Sequence, residues 1–151
     1  MHRYKIVIQY DGSFFRGWQL QKNQKTVQGD IENALMTIAR SKSRIIVKGS
    51  GRTDAGVHAI GQVAHFDLDS KLTDRELLRA INARLDKEIR VSQLTKVSEN
   101  FHSRFDAISK KYHYLCSLSD NPLNLKDHFQ VKNIDFDLDS WNQALKDSKL
   151  L

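Results

Sequence analysis

The acid Asp54 stands in a glycine-spaced stretch, residues 49–61, with Arg52 two positions before it. The stretch contains four of the chain's seven glycines, which allow positive φ and close backbone approach. A carboxylate can act as a nucleophile, and a nearby guanidinium favours its ionised form. Alternatively, Asp54 only fixes the turn by accepting backbone amides, and the residue types alone favour that bland interpretation.

Other chemistries fail on spacing. A dinucleotide fingerprint starting at Gly49 would need a glycine where Asp54 stands, and a P-loop starting at Gly51 would need a lysine where Val57 stands. The acidic run at residues 135–139 lacks the glycine and the final glutamate of an EF-hand. One cysteine and scattered histidines offer no zinc spacing, so we predict no metal site.

The elements that must position Asp54 follow from hydrophobic periodicity. Alternation predicts strands at residues 4–10, 44–48, 62–68 and 89–94. Helical spacing predicts one helix at residues 27–40, capped by Thr26, and a second that opens with the capping box at Thr73. The order β-α-β-β-α-β predicts an α+β, ferredoxin-like fold in which the loop with Asp54 joins the second and third strands.

The C-terminal part predicts an additional strand within residues 109–118 and a C-terminal helix. Asp139 is the expected cap of that helix. Its inward-facing residues are expected to be Leu138, Trp141 and Leu145. We predict that a ferredoxin-like domain spans residues 1–118 and that residues 119–151 follow it as a separate segment.

Composition narrows the partners. The net charge of +6 and the pI of about 9.5 favour a polyanion, although many soluble domains are mildly basic for no specific reason. The sequence shows no membrane-spanning run and no signal peptide, and its one cysteine suits a reducing compartment, so we expect a cytoplasmic protein. Phe14, Phe15 and Trp18 form either a stacking surface for RNA or the anchor of a loop.

Ordered motifs resemble the tRNA pseudouridine synthase A (TruA) family, in its N-terminal portion. The segment from Gly51 to His58, Gly-Arg-Thr-Asp-Ala-Gly-Val-His, is similar to the family signature. Further similar segments lie in family order at residues 10–12, 17–19, 61–63, 101–105 and 110–114. An ordered set of motifs is more specific than any one of them, and it outweighs the turn-only interpretation of Asp54.

The resemblance implies a pseudouridine synthase fold and a tRNA-modifying isomerase without a cofactor. It implies that Asp54 is the nucleophile, that Arg52 assists in flipping the target nucleotide, and that Tyr112 packs against the target base. The implied substrate is the anticodon stem-loop of tRNA at uridines 38–40, and the implied assembly is a homodimer. Candidate RNA contacts are Arg16, Trp18, Gln19, His58, Arg104, Lys110 and Lys111.

The family also has a second, similar domain, whose motif supplies a basic partner for the catalytic aspartate. The sequence ends before that motif, so we expect a fragment. The resemblance then implies a catalytic-loop domain over residues 1–118, with residues 119–151 forming a linker and the start of an incomplete second domain. The alternative function is a non-catalytic RNA-binding domain of the same fold, and a third is a structural or dimerisation domain with incidental charge.

Overall fold

The structure, a computed structural model, describes residues 1–117, 129–130, 137, 139–140 and 142–143. It divides the chain into two units, residues 1–109 and residues 110–151, and each unit is described by itself. The domain boundary at residue 118 stays a prediction.

A four-stranded antiparallel sheet organises the first unit. Its strands are β1 (His2–Tyr10), β2 (Lys48–Gly49), β3 (Ala59–Leu68) and β4 (Ile89–Val97). They stand side by side in the order β2-β3-β1-β4. The helices α1 (Val27–Ala39) and α2 (Asp74–Asn82) follow the first and third strands. These two orders are those of the split βαβ arrangement, so the predicted ferredoxin-like α+β fold is confirmed.

The core lies between one face of the sheet and the two helices. The buried residues of β1 alternate with more exposed ones, as a strand with one covered face requires. At its centre, Ile6 is paired with Ala64 on one side and with Leu94 on the other, and all three are buried. The helices cover this face with fully buried side chains, among them Val27, Ile31, Leu35, Leu77 and Ile81.

Both predicted helix starts are confirmed. The Thr26 side chain accepts a hydrogen bond from the Gly29 amide at 3.2 Å, although no capping box is present in α1. At α2, Thr73 and Glu76 form the complete reciprocal box. These caps satisfy amides that a helix start would otherwise leave without partners.

The predicted strand at residues 44–48 is largely wrong, because only Lys48 of that run belongs to a strand. Side chains of α1 take the backbone hydrogen bonds that a neighbouring strand would otherwise make with this run. The buried Glu32 carboxylate accepts the Val47 amide at 2.9 Å, and Gln28 donates to the Val47 carbonyl at 3.0 Å. Arg44 completes the clamp with a salt bridge to Glu32 at 2.5 Å.

We predict that Glu32→Ala lowers the free energy of unfolding by about 3 kcal/mol, because the buried Val47 amide and the Arg44 guanidinium lose their shared carboxylate partner. Urea denaturation followed by circular dichroism measures this. Arg44→Ala is the matched control and should cost less, since the Arg44 side chain is half exposed. Equal costs for both variants would contradict the dominance of the buried carboxylate.

The segment after β4 is fastened to the sheet by His65 of β3. The imidazole is buried, and its Nδ1 lies 2.9 Å from the Ser103 hydroxyl and 3.2 Å from the Ser103 amide. Arg3 forms a salt bridge to Asp67 at 2.7 Å and donates to the carbonyl of Phe101 at 3.0 Å. Burial, reinforced by the positive charge of Arg3, lowers the pKa of His65 to about 4.

The lowered pKa makes stability depend on pH. In the unfolded chain a histidine binds its proton near pH 6.5, whereas folded His65 resists protonation down to about pH 4. The fold therefore keeps its full stability above pH 6.5, where His65 is neutral in both states, and loses stability as the pH falls towards 4. Between pH 7 and pH 4.5 we expect the free energy of unfolding to drop by about 2 kcal/mol more in the wild type than in His65→Gln.

Urea unfolding at both pH values measures this difference. Carboxylates begin to titrate near pH 4.5, but the two proteins share them, so their effect cancels in the comparison. The pKa of Asp67 is lowered mainly by its hydrogen bond from Arg3, so Asp67 stabilises the fold at neutral pH and loses that contribution mostly below pH 4.5. Identical pH slopes in the two proteins would contradict a neutral, buried His65.

The second unit contains a short parallel strand pair, β5 (Cys116–Ser117) and β6 (Phe129–Gln130). The additional strand predicted within residues 109–118 is therefore much shorter than expected. Residues 139–140 and 142–143 are helical, but the capping acid is Asp137 rather than the predicted Asp139, since the Asp137 carboxylate accepts the Asp139 amide at 3.1 Å. The predicted inward-facing residues of that helix, Leu138, Trp141 and Leu145, lie outside the described residues.

Within the part of the chain that the structure describes, no helix is both long enough and apolar enough to cross a membrane.

Candidate functional site

Two loops of the first unit enclose an open cleft of about 520 Å³. One loop connects β1 to α1, and the other connects β2 to β3 and carries Asp54. Their side chains and backbone line the cleft with Arg16, Gln19, Gln21, Gln24, Arg52, Thr53, Asp54 and Ala55. Seven of the eight lining residues are polar or charged, and they include two guanidinium groups and one carboxylate.

Glycines allow the two loops to touch backbone to backbone. A Cβ at Gly12 would lie 2.1 Å from the carbonyl oxygen of Val57. A Cβ at Gly17 would lie 2.6 Å from the carbonyl oxygen of Thr53, and Gly17 also has a φ of +91°. Both positions therefore need a residue without a side chain, and Gly17 needs one for its conformation as well.

Hydrogen bonds fix the residues on either side of Asp54. The Thr53 carbonyl accepts the Trp18 amide at 3.0 Å, and the Thr53 hydroxyl lies 2.8 Å from the phenol oxygen of Tyr10. After it, the Val57 amide donates to the Asp54 carbonyl at 3.2 Å, and Gly56 takes a φ of +83°. The backbone of Asp54 is thus held on both sides while its side chain is exposed.

The Tyr10 phenol is a buried anchor of this loop. Burial raises its pKa, and the hydrogen bond to Thr53 opposes that rise only in part. Tyr10 therefore stays protonated at neutral pH and serves as a fixed hydrogen-bonding group below the cleft.

Four of the predicted site residues come together in the cleft, namely Arg16, Gln19, Arg52 and Asp54. Arg52 and Asp54 are both exposed on the same loop, so the spacing of the signature places both side chains at one surface. The charged lining of the cleft therefore consists of residues that the sequence motifs had already singled out.

The structure does not support the prediction that Trp18 contacts RNA, because Trp18 is only 2% exposed. The ring packs beside Tyr10, with centroids 6.4 Å apart, and a Cβ at Gly49 would come within 2.7 Å of it. Phe15 is buried too, whereas Phe14 is half exposed. The aromatic residues of this loop thus act mainly as anchors, which was one of the two alternatives.

The remaining predicted residues lie elsewhere. His58 lies beside the first loop, with its Nδ1 at 3.1 Å from the Asp11 carboxylate and 3.3 Å from the Gly12 amide. Arg104 is exposed on the segment that His65 fastens to the sheet. Lys110, Lys111 and Tyr112 are exposed and belong to the second unit, so they are described apart from the cleft.

Sequence reasoning missed Gln21, Gln24 and Thr53 as lining residues. Gln21 donates to the Arg16 carbonyl at 2.8 Å and so shapes the loop that carries this arginine. Polar residues in a loop give no periodic signal, and only the cluster of glutamines at positions 19, 21 and 24 could have pointed to a polar wall.

The cleft suits an anionic ligand that also offers hydrogen-bonding groups. Its guanidinium groups can pair with phosphate, its amides can hydrogen-bond to a base edge, and its exposed carboxylate can reach a bound electrophile. Among the described residues, no group of three or more histidines, cysteines or acids is placed to hold a metal ion.

The fold and this site define an α+β domain that presents one carboxylate, between arginines, from the loop joining its second and third strands. A family model described as tRNA pseudouridine synthase matches residues 6–106. The chain belongs to this family.

Relatives extend the same match. The chain is 50% identical to the tRNA pseudouridine synthase A of Limosilactobacillus fermentum over 115 residues, which cover 76% of this chain and 45% of that relative. It is 44% identical over 150 residues to the one from Lactobacillus acidophilus, and the match covers 99% of this chain and 56% of that relative. It is 42% identical over 127 residues to the one from Bacillus subtilis, and the match covers 84% of this chain and 51% of that relative. The chain thus spans about half the length of the curated relatives it matches.

The loop contact yields a graded prediction for glycine-to-alanine variants. Gly12→Ala and Gly17→Ala should each lower the free energy of unfolding by roughly 2 kcal/mol or more, because backbone has to move. Gly56→Ala meets open space and should cost about 1 kcal/mol, for its positive φ alone. Urea denaturation measures all three.

Gly61→Ala is the matched control for this series. A Cβ at Gly61 meets nothing within 4 Å, and Gly61 does not take a positive φ, so its stability should stay within about 0.5 kcal/mol of the wild type. If Gly12→Ala were as mild as Gly61→Ala, the tight packing of the two loops would be refuted.

Proposed function

We propose that this chain supplies the catalytic-loop half of an enzyme that converts uridine to pseudouridine in tRNA. The observation that carries the proposal is Asp54, an exposed carboxylate on a fixed loop beside Arg52 and facing a polar cleft. Family membership gives this geometry its chemical meaning, and the names of the relatives supply the class of substrate.

Asp54 acts as the nucleophile of the proposed reaction. The bond between N1 of uracil and the ribose carbon C1′ breaks, and C5 of the same uracil forms the new bond to C1′. The hydrogen leaves C5 and N1 ends protonated, so the reaction is an isomerisation and consumes no co-reactant. The carboxylate attacks either the ribose or the base, or it assists proton removal, and each route needs it ionised and in contact with the nucleotide.

Arg52 and Arg16 act on the RNA rather than on the reacting bond. A uridine within a helical stem has to leave the stack before its glycosidic bond can be reached. A guanidinium at the mouth of the cleft can occupy the vacated space and pair with phosphate. Gln19 can hydrogen-bond to the flipped base, because an amide offers both a donor and an acceptor.

The finer assignments rest on the resemblance of the segments. We propose uridines 38–40 of the anticodon stem-loop as targets, Tyr112 as the ring that stacks on the target base, and a homodimer as the working assembly. His58, Lys110 and Lys111 are proposed RNA-side residues on the same ground. A tRNA substrate would place the protein in the cytoplasm.

A second candidate is an RNA-binding domain without catalytic activity. The net charge of +6, on a chain that spans about half the length of its relatives, favours it. Such a domain would bind RNA in a salt-dependent manner and would not turn it over.

Tritium release from tRNA labelled at C5 of uracil separates the two candidates. We would assay this chain and a chimera in which it replaces the segment that it matches in the Lactobacillus acidophilus relative. We expect release by the chimera and a loss of more than about 10³-fold in Asp54→Asn, which removes the negative charge and keeps the shape. Asp69→Asn, at another exposed acid, is the matched control and should keep full activity.

Normal turnover by Asp54→Asn would overturn the nucleophile assignment. Salt-dependent RNA binding without release, by a chimera that folds as the relative does, would favour the binding domain. RNA binding that does not respond to salt would count against both candidates.

A further inference from the structure

Three aromatic rings form a column that runs from the sheet to the surface. The buried His65 ring meets the His102 ring at a centroid distance of 4.8 Å and an angle of 64°. The His102 ring then stacks on Phe105 at 4.2 Å with an interplanar angle of 26°. Phe105 ends the column and is 77% exposed, so a large flat apolar surface faces solvent.

The turn that carries Phe105 is held in one conformation. The His102 amide donates to the Asp106 carboxylate at 2.8 Å, and the Asp106 amide donates to the His102 carbonyl at 2.9 Å. The amides of Arg104 and Phe105 point to Nδ1 of His102, at 3.2 Å and 3.4 Å. These two amides fix the orientation of the His102 imidazole, and with it the ring face that meets Phe105.

The column is tied to the strand that leads to the cleft. The Ser103 hydroxyl donates to the Lys48 carbonyl at 2.7 Å, and Lys48 begins β2. From Lys48 the chain reaches Arg52 in four residues, so their Cα atoms lie within about 14 Å of each other. The exposed ring and the cleft therefore belong to the same compact unit and are linked through β2.

We propose that Phe105 is a stacking platform for an unpaired base of the bound RNA, outside the target nucleotide. This inference rests on the proposed function. The base lies on the open side of the Phe105 ring and extends the aromatic column by one more ring. Arg104, exposed on the same turn, pairs with the phosphate next to that base.

The chemistry of the turn favours RNA over a protein partner. Apart from Phe105, Ile108 is the only large apolar side chain exposed within residues 101–109, and charged or small residues separate the two. A protein interface would need a more continuous apolar core. A single presented ring beside an arginine, on a chain with a net charge of +6, is the pattern of a base-stacking site.

The test measures the Kd of the 151-residue chain for a short fluorescein-labelled RNA stem-loop by polarisation at several salt concentrations. We expect Phe105→Ala to bind about 5- to 100-fold more weakly, with an unchanged salt slope, because stacking involves no ion release. Phe105→Trp should restore affinity to within about twofold, and emission of the introduced tryptophan should be quenched by RNA. Arg104→Ala should instead reduce the salt slope by about one.

Ile108→Ala is the matched control, since this fully exposed aliphatic residue lies on the same segment and should leave the Kd unchanged. Equal affinity of Phe105→Ala and wild type, with salt-dependent binding intact, overturns the platform and spares the proposed function. Loss of a self-associated state in Phe105→Ala, without a change in RNA affinity, identifies a protein interface and overturns the platform. Absence of salt-dependent RNA binding in the wild type overturns both.

Discussion

The direct contact between two loop backbones is the constraint on which the candidate site depends. Gly12 meets the Val57 carbonyl and Gly17 meets the Thr53 carbonyl, at separations that no Cβ could tolerate. A contact through side chains would leave rotamer freedom between the loops, whereas a backbone contact transmits the position of one main chain to the other. The main-chain positions of Arg16 and Asp54 relative to each other are therefore fixed by this contact.

This construction separates rigidity from charge. The fixed elements around the cleft are uncharged, namely the phenol of Tyr10, the hydroxyl of Thr53 and the ring of Trp18. The charged groups, Arg52 and Asp54, are exposed, so they add little to the stability of the fold. Groups that add little to stability can be committed to a ligand at small cost to folding. Substitutions at these charges should accordingly affect chemistry more than stability, whereas substitutions at the glycines should do the reverse.

Local patterns predicted the fold well, and long-range contacts explain what they missed. Alternation and capping residues signal β1, α1 and α2 because the cause lies within a few neighbouring residues. The run at residues 44–48 looked like a strand because its apolar residues suit one, but Gln28 and Glu32 take its hydrogen bonds. Likewise, the motif around Asp54 identified the charged lining, while the burial of Trp18 depends on space left by Gly49, far away in sequence. Contacts between residues that lie far apart in the sequence leave no signal in a short stretch of it, so local patterns cannot predict them.

The short strand β2 links the cleft to the segment that presents the exposed ring of Phe105. Its two residues pair with β3 on one side, where Lys48 stands opposite His65 and Gly49 opposite Ala64. The Ser103 hydroxyl covers the Lys48 carbonyl and also lies against His65, so the segment that presents Phe105 is bonded to both strands. An edge strand covered in this way is protected from pairing with another chain. Because β2 has only two residues, the chain leaves the sheet at once and carries Arg52 and Asp54 to the neighbouring surface.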